Sequence, residues 1–313
     1  MAAYVQQPAS HARTLNLRHD LDLPVEQLIA TLDLSQQVKQ SRQRYASALK
    51  GRYIGLLFEK PSLRTRMTFE LAIKQLGGDC VTQIGPIADR EPLKDVARNL
   101  ARWVDAIVAR TFTQETIEEL ARWSGLPVVN ALSDLYHPCQ ALADMLTLKE
   151  HFGKLRGLKL AYVGDGNNVA HSLLLCSARL GIHMSVATPD GYGPKTEILR
   201  QALELAATSG AEIEVSNDAT QAVRNAHAVY TDVWTSMGQE AEAEERKKLF
   251  APYQVNQALL AHARKDTLFM HCLPAKRGLE VTDDVMESAQ CVAFDQAENR
   301  LHVQKAILLM LLQ

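Results

Sequence analysis

Short β-rich apolar runs alternate with helical patterns along nearly the whole chain, and that alternation restricts the fold more than any other feature. In the first half the β-rich runs lie at residues 53–58, 80–84, 106–109 and 127–129. Helical patterns at 65–76, 93–103 and 115–123 separate them. The second half offers strands at 158–163, 184–187, 212–215, 228–231, 268–271 and 291–294, with helical patterns between them, for example 195–207. Strands alternating with helices predict parallel sheets covered on both faces. A chain of 313 residues is too long for one ordinary domain and comfortable for two. The expected architecture is α/β: two doubly wound parallel-sheet domains joined by helices, with the active site in the cleft between them. The pattern at 138–152 reads as the joining helix and 297–312 as a closing helix. The expected domains are 1–148 and 149–295, with 296–313 packing back on the first. Ligands of such sheets bind beyond the carboxyl ends of the strands, where the unusual residues of this chain cluster.

Charge decides how an anion could be held. A net charge of -2 supplies no basic field for nucleic acid, so an anionic substrate needs a local cluster. The cysteines are Cys80, Cys139, Cys176, Cys272 and Cys291, an odd number without a C-x-x-C pair. Neither a disulfide framework nor a zinc site is expected, and a reducing cytoplasm fits. The opening MAAYVQQPASHARTLNLRHD lacks the apolar core of a secretory signal. No stretch approaches the 18 apolar residues of a membrane span.

Seven segments carry residues suited to chemistry. In FEKPSLRTRMTFE (58–70), Pro61 ends a β-rich run and Ser62 suits a helix N-cap. Free N–H groups, the Ser62 and Thr65 hydroxyls and the Arg64 guanidinium would together form a phosphate-sized anion site. A plain capped helix with solvated arginines is the other reading, and the segment alone leaves both open. In DLYHPCQALAD (134–144), Pro138 suits a first helical turn, and His137 and Gln140 share a face at i, i+3. They could reach one small carbonyl ligand, or be a capping histidine and a surface glutamine. Arg110 ends the apolar run AIVA and points to the cleft, unless it pairs with a local carboxylate.

VGDGNNVAHS (163–172) is a Gly-rich turn between strand and helix without the full G-x-G-x-x-G spacing of dinucleotide folds. Its Asn167 and Asn168 offer amides at the top of the sheet. In TDVWTSMGQE (231–240), Asp232 ends a strand before the loop Ser236-Met237-Gly238. Its carboxylate could hold an ammonium or cap the next turn. In FMHCLPAKRG (269–278), Cys272 sits at a strand's carboxyl end before Leu273-Pro274, although a buried cysteine is the usual outcome. AFDQAENR (293–300) puts Arg300 in about the first turn of the closing helix. That is the wrong end for the helix dipole, so this arginine wants an anionic or carbonyl partner.

In this order, the motifs resemble the aspartate/ornithine carbamoyltransferase family from about Leu15 onward, on its ornithine branch. The family's phosphate motif Ser-Thr-Arg-Thr reads here Ser62-Leu63-Arg64-Thr65. The aspartate branch shares that motif and His-Pro-x-Gln, but carries His-Pro-Leu-Pro where this chain has His271-Cys272-Leu273-Pro274. The Asp-x-x-x-Ser-Met-Gly loop from Asp232 to Gly238 also marks the ornithine branch.

The resemblance implies transfer of a carbamoyl group from carbamoyl phosphate to the δ-amine of L-ornithine, giving citrulline and phosphate in arginine metabolism. It implies that Ser62, the Leu63 backbone, Arg64 and Thr65 bind the phosphate. Arg110, His137 and Arg300 would polarise the carbamoyl oxygen. Gln140 would hold the carbamoyl amine and the Leu273 carbonyl would also touch that group. Asn168, Asp232, Ser236 and Met237 would grip the α-groups of ornithine, with Cys272 beside the reacting amine. No metal or organic cofactor is implied. The family is trimeric, some members assembling further, with the site near the subunit interface.

Two departures stand out. Leu63 replaces a threonine. In QIGPIADRE (83–91), Pro86 falls near the place of a glutamine that reaches a neighbouring subunit's site in many bacterial members. Three rival readings exist: a carbamoyltransferase for putrescine, N-acetylornithine or N-succinylornithine, a silent ligand-binding homologue, and an NAD-dependent oxidoreductase. The Ser-Met-Gly loop opposes the first, the full polar set the second, and the incomplete glycine motif the third.

Overall fold

Two parallel sheets carry the nine strands found among the described residues, 15–235 and 240–312, of this computed structural model. The first holds β1 (Tyr53–Phe58), β2 (Asp79–Ile84), β3 (Ala106–Arg110) and β4 (Val128–Leu132) in the order β2-β1-β3-β4. The second holds β5 (Lys159–Val163), β6 (His183–Ala187), β7 (Ile213–Ser216), β8 (Ala228–Thr231) and β9 (Leu268–His271) in the order β7-β6-β5-β8-β9. Every pairing between these strands is parallel. The central β3 is buried along its whole length, as a strand covered on both faces must be.

Parallel neighbours need crossover connections, and helices supply them. They are α1 (Val25–Gln40), α2 (Leu63–Gln75), α3 (Leu93–Leu100), α4 (Gln114–Ser124), α5 (Pro138–Phe152), α6 (Asn168–Leu180) and α7 (Thr196–Ser209), with shorter ones between β7 and the closing helix Ala293–Leu312. Helix α5 leads from one sheet to the other. The closing helix returns to pack on α5, α1 and α2. Among the described residues no helix is long and apolar enough to cross a membrane.

In both sheets the strand order reverses beside the sheet's first strand, between β1 and β3 and between β5 and β8. Such a reversal leaves a crevice at the carboxyl ends. The β1 end leads to Ser62–Thr65 and the β3 end is Arg110. The β5 end leads to Asn167 and Asn168, and the β8 end to Asp232.

Three expectations change. Residues 291–294 are not a strand: Cys291 makes one isolated bridge to Phe269, and the closing helix starts at Ala293. A four-residue apolar run fits a strand or a buried helix start equally, and burial here goes with the helix. Arg300 is consequently the eighth residue of that helix, not in its first turn, so the dipole argument about its position falls. Helix α1 was not anticipated. Its buried stripe mixes Leu28, Leu32 and Val38 with Thr31 and Ser35, whose hydroxyls bond back to Gln27 O and Thr31 O. Those two polar positions erase the apolar period.

The Gly-rich turn after β5 also has a packing explanation. A Cβ on Gly166 would lie 2.3 Å from the carbonyl carbon of Gly193, so this glycine lets two backbones touch. Ser236 and Met237 lie outside the described residues.

Candidate active site

Ser62 caps α2 as expected, its Oγ accepting from the Thr65 N–H at 3.2 Å. The Leu63 and Arg64 amides precede the first intrahelical bond and face out from the positive end of the helix. The Leu63 side chain is 67% exposed, so this position can serve the crevice only through its backbone. A cavity of about 220 Å³ lies beside this turn, lined by Phe58, Pro61, Ser62, Leu63, Arg66 and Ile84, and not by Arg64, Arg110 or Arg300.

Arg110 and Arg300 are both buried, and neither, nor Arg64, meets a carboxylate within salt-bridge reach among the described residues. Arg300 Nη1 donates to Gln140 Oε1 at 2.7 Å, and Nη2 donates to Thr65 Oγ1 at 2.8 Å. It thereby ties the phosphate-motif helix to α5. Burial, then the guanidinium charges of Arg300 and Arg64, brings Arg110 down to about 10. His137 is buried just before α5, and burial followed by Arg300 and Arg110 holds its imidazole well below the usual value. At neutral pH this histidine is uncharged. Arg110 Nε, Arg300 Nε and His137 Nδ1 have no hydrogen-bond partner among the described residues. Buried polar groups are normally paired, so this convergence of orphans and positive charge points to an oxygen-rich, anionic ligand.

Asp232 faces them from the second sheet. Its Oδ2 accepts from Asn167 Nδ2 at 2.8 Å, and its Oδ1 accepts from the Cys272 thiol at 3.0 Å. Burial, then the Asp232 carboxylate, raises the Cys272 thiol well above its ordinary value. It is a thiol and a donor here, not a thiolate nucleophile. Asn168 Nδ2 donates to Ser133 O at 2.6 Å, binding the start of α6 to the loop before α5. Leu273 has a positive φ of 56°, uncommon for a branched side chain. Its N–H donates to His271 Nδ1 at 2.8 Å, while His271 Nε2 meets the buried Glu280 at 3.2 Å. Accepting at Nδ1 leaves the ring proton on Nε2, facing the carboxylate.

Two family models match the chain: the aspartate/ornithine carbamoyltransferase carbamoyl-P binding domain over residues 16–150, and the Asp/Orn binding domain over 156–311. The chain belongs to the aspartate/ornithine carbamoyltransferase family. The ornithine carbamoyltransferase of Gloeobacter violaceus is 51% identical over 293 residues, 92% of each chain. The anabolic ornithine carbamoyltransferase of Pyrococcus furiosus is 52% identical over 263 residues, 83% of this chain and 84% of the relative. Among solved structures, ornithine carbamoyltransferase from Pyrococcus furiosus superposes with a TM-score of 0.92 at 47% identity, covering 94% of this chain and 96% of that one. An acetylornithine transcarbamylase complexed with acetylcitrulline gives 0.87 at 33% identity, covering 95% and 99%.

Within this carbamoyltransferase, the crevice joins both sheets. Arg300 touches both Thr65 and Gln140, and Asp232 touches Cys272. Charge places Arg64, Arg110 and His137 beside the first group. Sequence reasoning missed the supports beneath them. Asp144, fully buried on α5, accepts from Gln140 Nε2 at 2.7 Å, Gln296 Nε2 at 2.8 Å and the Tyr230 hydroxyl at 3.1 Å. Burial outweighs those three donors and lifts its carboxyl to about 7. The i, i+4 spacing from Gln140 was the available signal. Nothing local marked Tyr230, Gln296 or Glu280.

Proposed function

We infer that the chain transfers the carbamoyl group of carbamoyl phosphate to the δ-amine of L-ornithine, giving L-citrulline and phosphate in arginine metabolism. The observation that carries this reading is that Arg110 Nε, Arg300 Nε and His137 Nδ1, all buried and without a hydrogen-bond partner among the described residues, gather beside a capped phosphate-type helix start. A citrulline assay with carbamoyl phosphate and ornithine tests it, and a chain producing no citrulline refutes it.

In this reading Ser62, the Leu63 amide, Arg64 and Thr65 hold the phosphate. Arg110, His137 and Arg300 donate to the carbamoyl oxygen, Gln140 accepts from the carbamoyl amine, and the Leu273 carbonyl also touches that group. Asn168, Asp232, Ser236 and Met237 hold the α-groups of ornithine. The neutral amine attacks the carbamoyl carbon, the C–O bond to phosphate breaks, and the departing phosphate takes up the proton that the amine loses. Charge builds on the carbamoyl oxygen in between, where fixed donors lower the barrier most. Residues 1–148 with 296–313 are assigned to carbamoyl phosphate and 149–295 to ornithine.

Cys272 is assigned as a donor that orients the amine. Cys272→Ala is therefore expected to lower kcat about tenfold while leaving the melting temperature nearly unchanged. A carbamoyl-cysteine detected by mass spectrometry would overturn the non-covalent role, and wild-type kinetics would make the thiol a packing residue.

A neutral His137 also fixes the pH dependence. An aliphatic amine such as the δ-amine titrates near 10.4, so its neutral fraction grows about tenfold per unit below that. We expect kcat/KM for ornithine to rise with pH between about 6 and 8 from this cause, and to keep that limb in His137→Asn. A limb that vanishes in the variant would show that the histidine titrates in the working range.

The working molecule is proposed to be a cytoplasmic homotrimer. Leu63, Met67 and Leu71 on α2 and Val81 and Ile84 on the edge strand β2 are large exposed apolar side chains, which an interface would cover. Light scattering should give three times the chain's mass, and a monomer at micromolar concentration would exclude the trimer. Pro86 follows β2, whereas Gln83 within it is exposed, its amide donating to Pro86 O at 3.1 Å. Gln83 is the better candidate to reach a neighbouring site.

A further inference from the structure

Asp144 is fully buried and is assigned no contact with substrate, yet three elements converge on it. Its Oδ1 accepts from Gln140 Nε2 and from Gln296 Nε2 at 2.7 and 2.8 Å, and its Oδ2 accepts from Tyr230 at 3.1 Å. Gln296 in turn accepts through Oε1 from the His271 N–H at 2.9 Å. The carboxylate thus lies between the carbamoyl side of the crevice and the strand ends that carry Asp232 and Cys272.

The consequence for Gln140 is directional. A primary amide has one accepting and one donating end, and only its surroundings decide which faces the ligand. With Nε2 on Asp144, Oε1 faces Arg300 and the crevice. The reversed amide would turn its NH2 toward the Arg300 guanidinium and set Oε1 against an Asp144 oxygen that already accepts from Gln296 Nε2. Arg300 favours the same direction, but it is also assigned to the carbamoyl oxygen and is drawn on when substrate enters. Asp144 does not face the crevice and keeps its hold.

We propose that Asp144 is a positioning residue that fixes the direction of the Gln140 amide, so that the site accepts a hydrogen bond from the carbamoyl amine and discriminates against acyl phosphates that lack it. This rests on the assignment of Gln140 to that amine, and the test separates the two. The probes are two stable phosphonates, phosphonoacetamide and acetonylphosphonate, which differ by an NH2 in place of a methyl. Their dissociation constants are measured by calorimetry, with inorganic phosphate as control.

Wild type should prefer the amide by about tenfold or more, the worth of one such contact. Gln140→Ala should collapse that ratio. Asp144→Leu should collapse it similarly while inorganic phosphate binds as before. Asp144→Asn should retain it: its one oxygen still accepts from Gln140, and its NH2 faces Tyr230, whose hydroxyl can turn to accept. A purely structural role would lower the melting temperature of the Leu variant without changing the ratio. A wild-type ratio in folded Asp144→Leu, beside a collapsed one in Gln140→Ala, overturns the proposal. An unchanged ratio in Gln140→Ala overturns the reading beneath it. A collapsed ratio in Asp144→Asn would make charge the cause and overturn the hydrogen-bond account. If the Leu variant does not fold, Asp144→Ser, too short to reach Gln140, is judged by the same ratio.

Discussion

Asp232→Ala is expected to turn over ornithine about a hundredfold more slowly than wild type and to lose most of its preference for ornithine over putrescine. Asp232 is buried, holds Asn167 with one oxygen and the Cys272 thiol with the other, and faces the crevice from the end of β8. As the assigned partner of the α-ammonium it distinguishes an amino acid from a diamine, together with amide donors for the α-carboxylate. Putrescine leaves those donors unpaired, at about 1–3 kcal/mol each, or roughly ten- to a hundredfold. Removing the carboxylate also frees the thiol, so the loss falls on kcat as well as KM. Asp232→Asn keeps the shape without the charge and should recover little. Aspartate should not react at all, since it has no side-chain amine and no cation stands in the His271–Pro274 segment. Equal use of putrescine and ornithine by the wild type would remove Asp232 from α-group recognition.

Arg64→Ala is expected to weaken carbamoyl phosphate binding to the free enzyme by ten- to a hundredfold. Hydrogen bonds to charged groups contribute about 1.5–3 kcal/mol each. Arg64 brings no carboxylate of its own among the described residues, so its charge is free for a ligand. It also stands close enough to Arg110 to lower that group's proton affinity. Its removal relaxes Arg110 but takes away half of the guanidinium pair at the β1–β3 crevice. Titration calorimetry decides, and an unchanged dissociation constant would send the phosphate elsewhere. The melting temperature should move little, because Arg64 is only half-buried.

How far the sequence reached depends on how local each cause was. The Ser62 cap, the strand-end positions of Arg110 and Asp232, and the first-turn place of Gln140 follow from neighbours within a few residues, and all were legible. Arg300 was read in the right helix but at the wrong depth, because residues 291–294 satisfy strand and helix alike. Helix α1 stayed hidden behind Thr31 and Ser35, and its start at Pro24 offers no side-chain cap. Asp144 was out of reach for a different reason. Its partners Tyr230 and Gln296 are 86 and 152 residues away, and only packing brings them together. The turn at Leu273 depends likewise on His271 and Glu280, whose pairing no spacing rule announces.

The closing helix has a consequence for how the molecule is made. Val303, Ile307 and Leu308 are buried in the same core as α1, α2 and α5, and Arg300 bridges Thr65 to Gln140. The first sheet is translated early, but its helical face stays bare until residues 293–312 have been made. At five to twenty residues a second, synthesis of the intervening stretch lasts roughly ten to thirty seconds. Through that interval the nascent chain displays an apolar surface that chaperones can recognise. The half built around the second sheet waits only for the start of that helix, where Ala293 joins its core and Gln296 accepts from the His271 N–H. A ribosome that stalls before residue 300 releases a chain whose phosphate motif is fully encoded yet unbraced.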